Sequence, residues 1–253
     1  MTNKFPRVLI SAPTAAAKNY CFEEWLENVL SFNYPNFQVR LFDNTEDGGA
    51  NADYLNQIYA ERYGDTSDDP KFKAYNSLVL HKYKNPSVIA RMALSHNDCR
   101  GYAIHNKFDY LLHLESDVFP EKNVIESLMF NRKRVVGAMF YRDEGKDRTL
   151  MAQRRIYCTP FNIKMVNFTA GEDLAICDGN LHEVASVGLG CVLIDVRSVF
   201  DLISFRYIPD VDMHPDSYFS EDCFLNKIPI FLDTKCVARH DNRPWGIFGV
   251  DFK

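Results

Sequence analysis

Through its first 142 residues the chain switches repeatedly between two hydrophobic periods, and that alternation leaves few folds open to it. Short apolar runs read as buried strands at 7–12 (RVLISA), 37–43, 77–82, 110–115 and 134–141. Between them apolar residues recur at helical spacing. Phe22, Trp25, Leu26, Val29 and Leu30 mark a helix over 20–32, and further helices are predicted over 52–63, 88–106 and 121–130. Strands that alternate with helices build βαβ units, and their parallel strands need helices on both faces of the sheet. Ligands of such sheets gather beyond the carboxyl ends of the strands. The expected fold class is α/β, a mostly parallel sheet flanked by helices.

The second half reads differently. From 143 to 180 the chain is polar, irregular and rich in turn formers, among them Gly145, Pro160, Gly171 and Gly179. Two short strands are expected around 183–186 and 191–195, then a helix near 197–203. A loop of Asp and Pro at 209–216 precedes SYFSEDCFL, and two short strands at 230–233 and 236–239 lead to an aromatic tail containing Trp245. Neither an internal repeat nor a linker interrupts the chain. Residues 1–253 are therefore read as a single domain in which the second half extends the same sheet.

Composition narrows the partners. With 29 Lys and Arg against 34 Asp and Glu the net charge is −5, which argues against a nucleic-acid binder. The basic clusters (Lys82 and Lys84; Arg132, Lys133 and Arg134) are short and read as solvated faces. No apolar stretch approaches the roughly 18–20 residues of a membrane span, and the N-terminus leads directly into a strand without an apolar leader. Seven scattered cysteines without CxxC spacing indicate reduced, mostly buried thiols and a cytoplasmic setting. The sequon Asn167-Phe168-Thr169 is then a chance match.

Tyr110 to Val118 reads YLLHLESDV, an apolar run that ends in two carboxylates, Glu115 and Asp117, around Ser116. On an extended chain, positions two apart project to the same side. Like charges held that close raise each other's pKa unless a cation lies between them. A hard divalent ion with oxygen ligands suits the place, as in sites that handle phosphates.

In this context the chain resembles the nucleotide-sugar glycosyltransferases of the GT-A fold. The resemblance rests on SAPT at 11–14, the acid closing the second strand at Asp43, LHLESDVFP, VGAMFYR at 136–142, ASVGLGCVLI at 185–194, FSEDCFL at 219–225 and ARH at 238–240. Each motif is short; their order from end to end is what is specific. The resemblance implies that Glu115 and Asp117 hold Mn²⁺ or Mg²⁺ against the donor diphosphate, with Ser116 beside it and His240 completing the metal shell. It implies that Pro13, Thr14 and Asp43 bind the nucleoside half, and that 1–142 is the nucleotide-sugar half and 143–253 an irregular acceptor-binding half. One carboxylate of Glu221-Asp222, Asp222 ahead of Glu221, would be the general base that takes the acceptor hydroxyl's proton, which favours an inverting transfer.

Each residue also has a plainer reading. Asp43 lies in DNTEDGG, where turn formers are expected anyway. Glu221 and Asp222 suit the acidic first turn of a helix. Gly188 and Gly190 mark either a tight turn between strands or a wall that lets a sugar approach the backbone. Arg142 can pair with donor phosphates or with its neighbours Asp143 and Glu144. Two other functions stay open. A nucleotidyltransferase would carry a Gly-rich basic loop near the N-terminus, where this chain has SAPTAAAKNY. A non-catalytic nucleotide- or carbohydrate-binding protein could retain every motif.

Overall fold

The computed structural model describes residues 5–63, 78–85, 87–144, 147–159, 162–169, 171, 175–211 and 213–241. Strand β1 (Val8–Thr14) is followed by a 3₁₀ turn (Ala16–Cys21) and α1 (Phe22–Leu30), then by β2 (Phe37–Asp43), α2 (Ala50–Tyr63), β3 (Val79–His81) and α3 (Val88–His105). Strands β4 (Tyr110–Leu114) and β5 (Val118–Pro120) lead through α4 (Val124–Phe130) to β6 (Val135–Met139). The later part runs β7 (Tyr141–Glu144), β8 (Asp147–Leu150), β9 (Ala152–Thr159), β10 (Asn162–Asn167), β11 (Leu181–Val184), β12 (Ser186–Val187) and β13 (Cys191–Asp195). Helices α5 (Val196–Phe200) and α6 (Pro215–Leu225) precede the last strand, β14 (Ile230–His240).

The main sheet has the order β11-β14-β6-β13-β4-β1-β2-β3, with β5 added against the end of β14. Strands β1, β2, β3 and β4 run parallel, in registers that set Thr14 beside Asp43 and Asp43 beside His81. Strand β14 runs parallel to β6, and β13 is antiparallel to both β4 and β6. The result is a largely parallel sheet covered on both faces. On one face Phe22, Trp25 and Leu26 of α1, Leu55 of α2 and Val124 and Leu128 of α4 pack on Val8, Ile10, Leu112 and Leu114. On the other, Cys99 and Ala103 of α3, Val199 and Phe200 of α5 and Phe219 and Cys223 of α6 pack on Leu9, Leu111, Val192 and Ile194. Consecutive β1 residues thus feed opposite cores, as the period of a strand requires.

The expected elements of the first half are present with shifted ends. Residues 16–21 form a separate 3₁₀ turn before α1, and the strand expected over 134–141 divides into β6 and β7. Larger differences lie beyond residue 142. The stretch read as irregular contains two antiparallel pairs, β7 with β8 and β9 with β10. Segments such as AQRRIYCT and NIKMVN carry little period-2 apolar signal, because these strands form small outlying sheets. Helix α6 begins at Pro215, inside the expected loop, with proline in the first turn where a missing N–H breaks no helical bond. The two expected C-terminal strands are one, β14, whose register shifts between Asp233 and Val237. The six described cysteines are free, and all but Cys177 are buried. Among the described residues no helix is long and apolar enough to cross a membrane. The tail containing Trp245 lies outside the described residues.

The two glycines before β13 are explained by room. A Cβ on Gly190 would lie 2.6 Å from Cζ of Phe140 and 3.0 Å from Cγ2 of Val118, and one on Gly188 would meet Met151 and Phe140 at 3.1–3.2 Å. Gly190→Ala is therefore expected to destabilise the protein by about 1–3 kcal/mol through overpacking. Urea unfolding should show the loss, and Phe140→Leu in the same chain should recover part of it.

Candidate functional site

The carboxyl ends of β1, β2, β3 and β4 lie along one edge of the sheet, and β14 brings its own C-terminal end to the same edge by pairing His240 with Val118. Beyond β4 the chain makes a tight turn, with the Val118 N–H donating to the Glu115 carbonyl at 3.1 Å and the Glu115 N–H donating to the Gly190 carbonyl at 3.0 Å. Glu115, Ser116 and Asp117 thus lie in a turn between two strands, not on an extended chain. Their carboxylates nevertheless converge, because both accept from one ammonium. Lys18 Nζ lies 2.6 Å from Glu115 Oε2 and 2.9 Å from Asp117 Oδ1. The lysine side chain is 8% exposed and that of Asp117 is 1% exposed. Burial alone would lower the Lys18 pKa and raise that of Glu115. The mutual attraction prevails, so Lys18 is raised and Glu115 is held down at about 2.

His240 approaches from the other side, its Nε2 3.7 Å from Asp117 Oδ2. Its Nδ1 is 3.3 Å from the Tyr141 carbonyl, which can only accept, so Nδ1 carries a hydrogen there. In the neutral ring this turns the Nε2 lone pair toward a carboxylate oxygen, an arrangement suited to a shared cation. Fit to a divalent ion rests on that facing pair and on the Lys18 ammonium, a stand-in cation between the two carboxylates. Ser116 is buried with its hydroxyl 3.3 Å from that of Thr14, and its carbonyl accepts from Cys21 Sγ at 3.1 Å. Pro13 lies just past the last β1–β4 pair, where its missing N–H disturbs no ladder bond to β4.

A second polar cluster lies at the ends of β2 and β3. Asp43 is fully buried, accepts from Thr45 Oγ1 at 2.7 Å and Asn51 Nδ2 at 2.9 Å, and lies 3.3 Å from His81 Nδ1. Asp47 accepts from the Gly49 and Asn51 N–H groups at the start of α2. Ligand atoms of Asp43, Asp47 and His81 come within 4.8 Å of one another, so these three could hold a metal ion; among the described residues no other three His, Cys, Asp or Glu side chains converge so closely, and Glu115, Asp117 and His240 do not. Asn19 Nδ2 donates to Asn51 Oδ1 at 2.6 Å, so the 3₁₀ turn touches both clusters, through Lys18 and through Asn19.

A cavity of about 220 Å³ is lined among others by Arg142, Gln153, Ser186, Gly188, Asp216 and Ser217; Glu115, Ser116 and Asp117 are not part of its wall. Its Gly188 wall continues to Gly190, which bonds the backbone of Glu115. Asp216, in the first turn of α6, keeps a third of its side-chain surface open. Packing around its carboxyl and the negative charge of Glu115 raise its pKa against the pull of His214. Glu221 and Asp222 lie further along α6 and turn to Arg206, whose Nη2 and Nε donate to them at 2.7 and 2.8 Å while its guanidinium covers Tyr218. Among the described residues no hydrogen bond or ion pair joins either to Glu115 or Asp117.

Lys18, Asp216 and the Asn51–His81 cluster were not singled out from the sequence as site residues. Lys18 left one signal, the only charge in SAPTAAAKNY. Asp216 left none, being one of three acids in a loop-like DVDMHPD.

Neither a protein-family model nor a curated protein matches the chain. Solved structures do. GalNAc-T7, crystallised with UDP, GalNAc and Mn²⁺, is similar with a TM-score of 0.61 at 11% identity, over 94% of this chain and 44% of that one. S. aureus TarS 1-349 in complex with UDP-GlcNAc is similar with a TM-score of 0.55 at 13% identity, over 98% of this chain and 62% of that one. The chain spans less than two thirds of either length. At this identity the likeness is one of fold: the chain has the GT-A fold of nucleotide-sugar glycosyltransferases.

Behind the acid turn lies a buried histidine pair. His113 Nδ1 donates to the Leu189 carbonyl, leaving Nε2 to accept from His96 Nδ1 at 2.8 Å, and His96 stacks on Phe205. Burial lowers both, His113 from 6.5 to about 4. The folded protein keeps them neutral while the unfolded chain takes up protons near 6.5. Their contribution to stability is therefore complete above 6.5 and is lost as pH falls toward 4. Thermal melts should show stability falling across that window, with a shallower fall in His113→Gln even if that variant is weaker throughout. The depressed Glu115 adds its own loss at lower pH, between 4.5 and about 2.

Proposed function

We propose that this chain transfers a sugar from a nucleotide diphosphate donor to a hydroxyl of a glycan or other acceptor, by a single displacement with inversion. The observation that carries this reading is the convergence of Glu115 and Asp117 on one cation position at the carboxyl edge of a GT-A sheet. Neighbours of that fold were crystallised with UDP, GalNAc and Mn²⁺ and with UDP-GlcNAc, which supports a nucleotide-sugar donor here. On this reading residues 1–142 hold the donor and 143–253 the acceptor, in one domain.

Glu115 and Asp117, with His240, would hold a divalent ion such as Mn²⁺ or Mg²⁺. When bound, such an ion neutralises charge that develops on the leaving diphosphate. Ser116 and Thr14 offer hydroxyls beside it, and Pro13 shapes the end of β1. Asp43, with Asn51 and His81, forms a polar floor for the nucleoside half. Arg142 and Gly188 border the cavity that would take the sugar and the acceptor, and Gly190 backs the acid turn through the Glu115 N–H.

A carboxylate of α6 supplies the base. As the acceptor oxygen bonds to the anomeric carbon, its proton passes to the carboxylate, and the carbon–oxygen bond to the diphosphate breaks with its electron pair leaving on phosphate. Asp222 is the residue expected from motif order, with Glu221 beside it, yet both are held by Arg206. Asp216 faces the cavity and has the raised pKa that general-base chemistry favours, so we assign the role to Asp216.

Two measurements test the proposal. Asp117→Asn should abolish Mn²⁺-dependent binding of UDP in calorimetric titrations while the fold survives; unchanged binding would remove the acid pair from the site. In transfer or donor-hydrolysis assays across a donor panel, Asp216→Asn should lower turnover by roughly 10²–10⁴-fold with donor affinity retained. If Asp222→Asn shows that loss and Asp216→Asn does not, the base is Asp222. A protein that binds nucleotide sugars but turns none over would be a binding module.

A further inference from the structure

The Lys18 ammonium occupies the position between Glu115 and Asp117 that the proposed function gives to a divalent ion. Two carboxylates and one ammonium leave one net negative charge at that position. A nucleotide diphosphate, itself multiply anionic, would meet repulsion there. The ammonium is also secured. It is nearly buried, makes two short charge-assisted hydrogen bonds, and hangs from a 3₁₀ turn fixed by Asn19 to Asn51 and by Cys21 Sγ to the Ser116 carbonyl. A metal ion arriving alone must break both bonds and displace a buried ammonium from its two carboxylates. Arriving with a diphosphate, it would bring phosphate oxygens for that ammonium to pair with.

We propose that Lys18 is a resident counter-ion that keeps the Glu115–Asp117 pair closed to a metal until a nucleotide diphosphate arrives, when its ammonium moves from the carboxylates to the phosphates. Metal and nucleotide then bind as a unit, each poorly without the other. This inference rests on the acid pair being the metal site, and the experiment separates the two ideas.

The measurement is Mn²⁺ affinity, by calorimetry or by the spectroscopic signal of free Mn²⁺, with and without UDP. In the unmodified protein Mn²⁺ alone should bind weakly and UDP should tighten it. In Lys18→Met, Mn²⁺ alone should bind roughly 10- to 100-fold tighter than in the unmodified protein, about the net size of one charged hydrogen bond. The enhancement by UDP should shrink accordingly, and Mn²⁺ alone should raise the melting temperature of the variant more than that of the parent. If Lys18→Met does not fold, Lys18→Gln, neutral but still able to hydrogen-bond, carries the same expectation. Metal affinity in these neutral variants that is unchanged or weaker, while Asp117→Asn abolishes it, overturns the role of Lys18 and leaves the metal site standing. Metal affinity untouched in Asp117→Asn overturns both, and places the ion elsewhere, for instance at Asp43, Asp47 and His81.

Discussion

The ion triplet of Lys18, Glu115 and Asp117 is the interaction around which the rest of the site is arranged. Two carboxylates in one three-residue turn repel, and the turn lies against a largely buried wall. Without a cation it would open, or one acid would take up a proton. Lys18 prevents both from a segment nearly a hundred residues away in sequence. The 3₁₀ turn that carries it is therefore as much a part of the site as the acids themselves. Its other contacts, Asn19 to Asn51 and Cys21 to Ser116, tie the ends of β1, β2 and β4 into one polar edge.

That edge exists because the sheet is parallel where it matters. In β1, β2 and β3 each strand delivers its last residue (Thr14, Asp43, His81) to the same edge, where Glu115 follows the end of parallel β4, though none of these is close in sequence. Antiparallel β13 interrupts the run and uses its approach, Gly188 to Gly190, to back the acid turn. The long course of β14 then carries His240 back to Asp117. These two late strands join the two halves of the chain in one sheet.

Helix α6 illustrates how a rotation decides chemistry. Six residues at about 100° each turn Asp222 roughly 240° from Asp216. One of them faces the cavity, and the other meets Arg206 with Glu221 as its companion. Motif order points to Glu221 and Asp222. It does not contain the helix start, which Pro215 sets inside the loop-like DVDMHPD. The hairpins between 141 and 167 escaped notice for a related reason. Strands in two- and three-stranded outliers need no regular apolar face, so their sequences keep no strand period.

Hydrophobic period alone was enough to determine the α/β class, the order of the first six strands apart from the short β5, and the position of the acid pair at a strand end, because each depends on residues adjacent in the chain. The acids also announced that a cation was needed, since like charges at that spacing cannot coexist without one. Which cation neutralises them in the folded chain was a tertiary decision, made by packing a 3₁₀ turn against the turn that follows β4. The same holds for Asp216, for the burial of Asp43 and for the crowding of Gly190 by Phe140. Each depends on which surfaces meet when distant strands pair, and no local period records that.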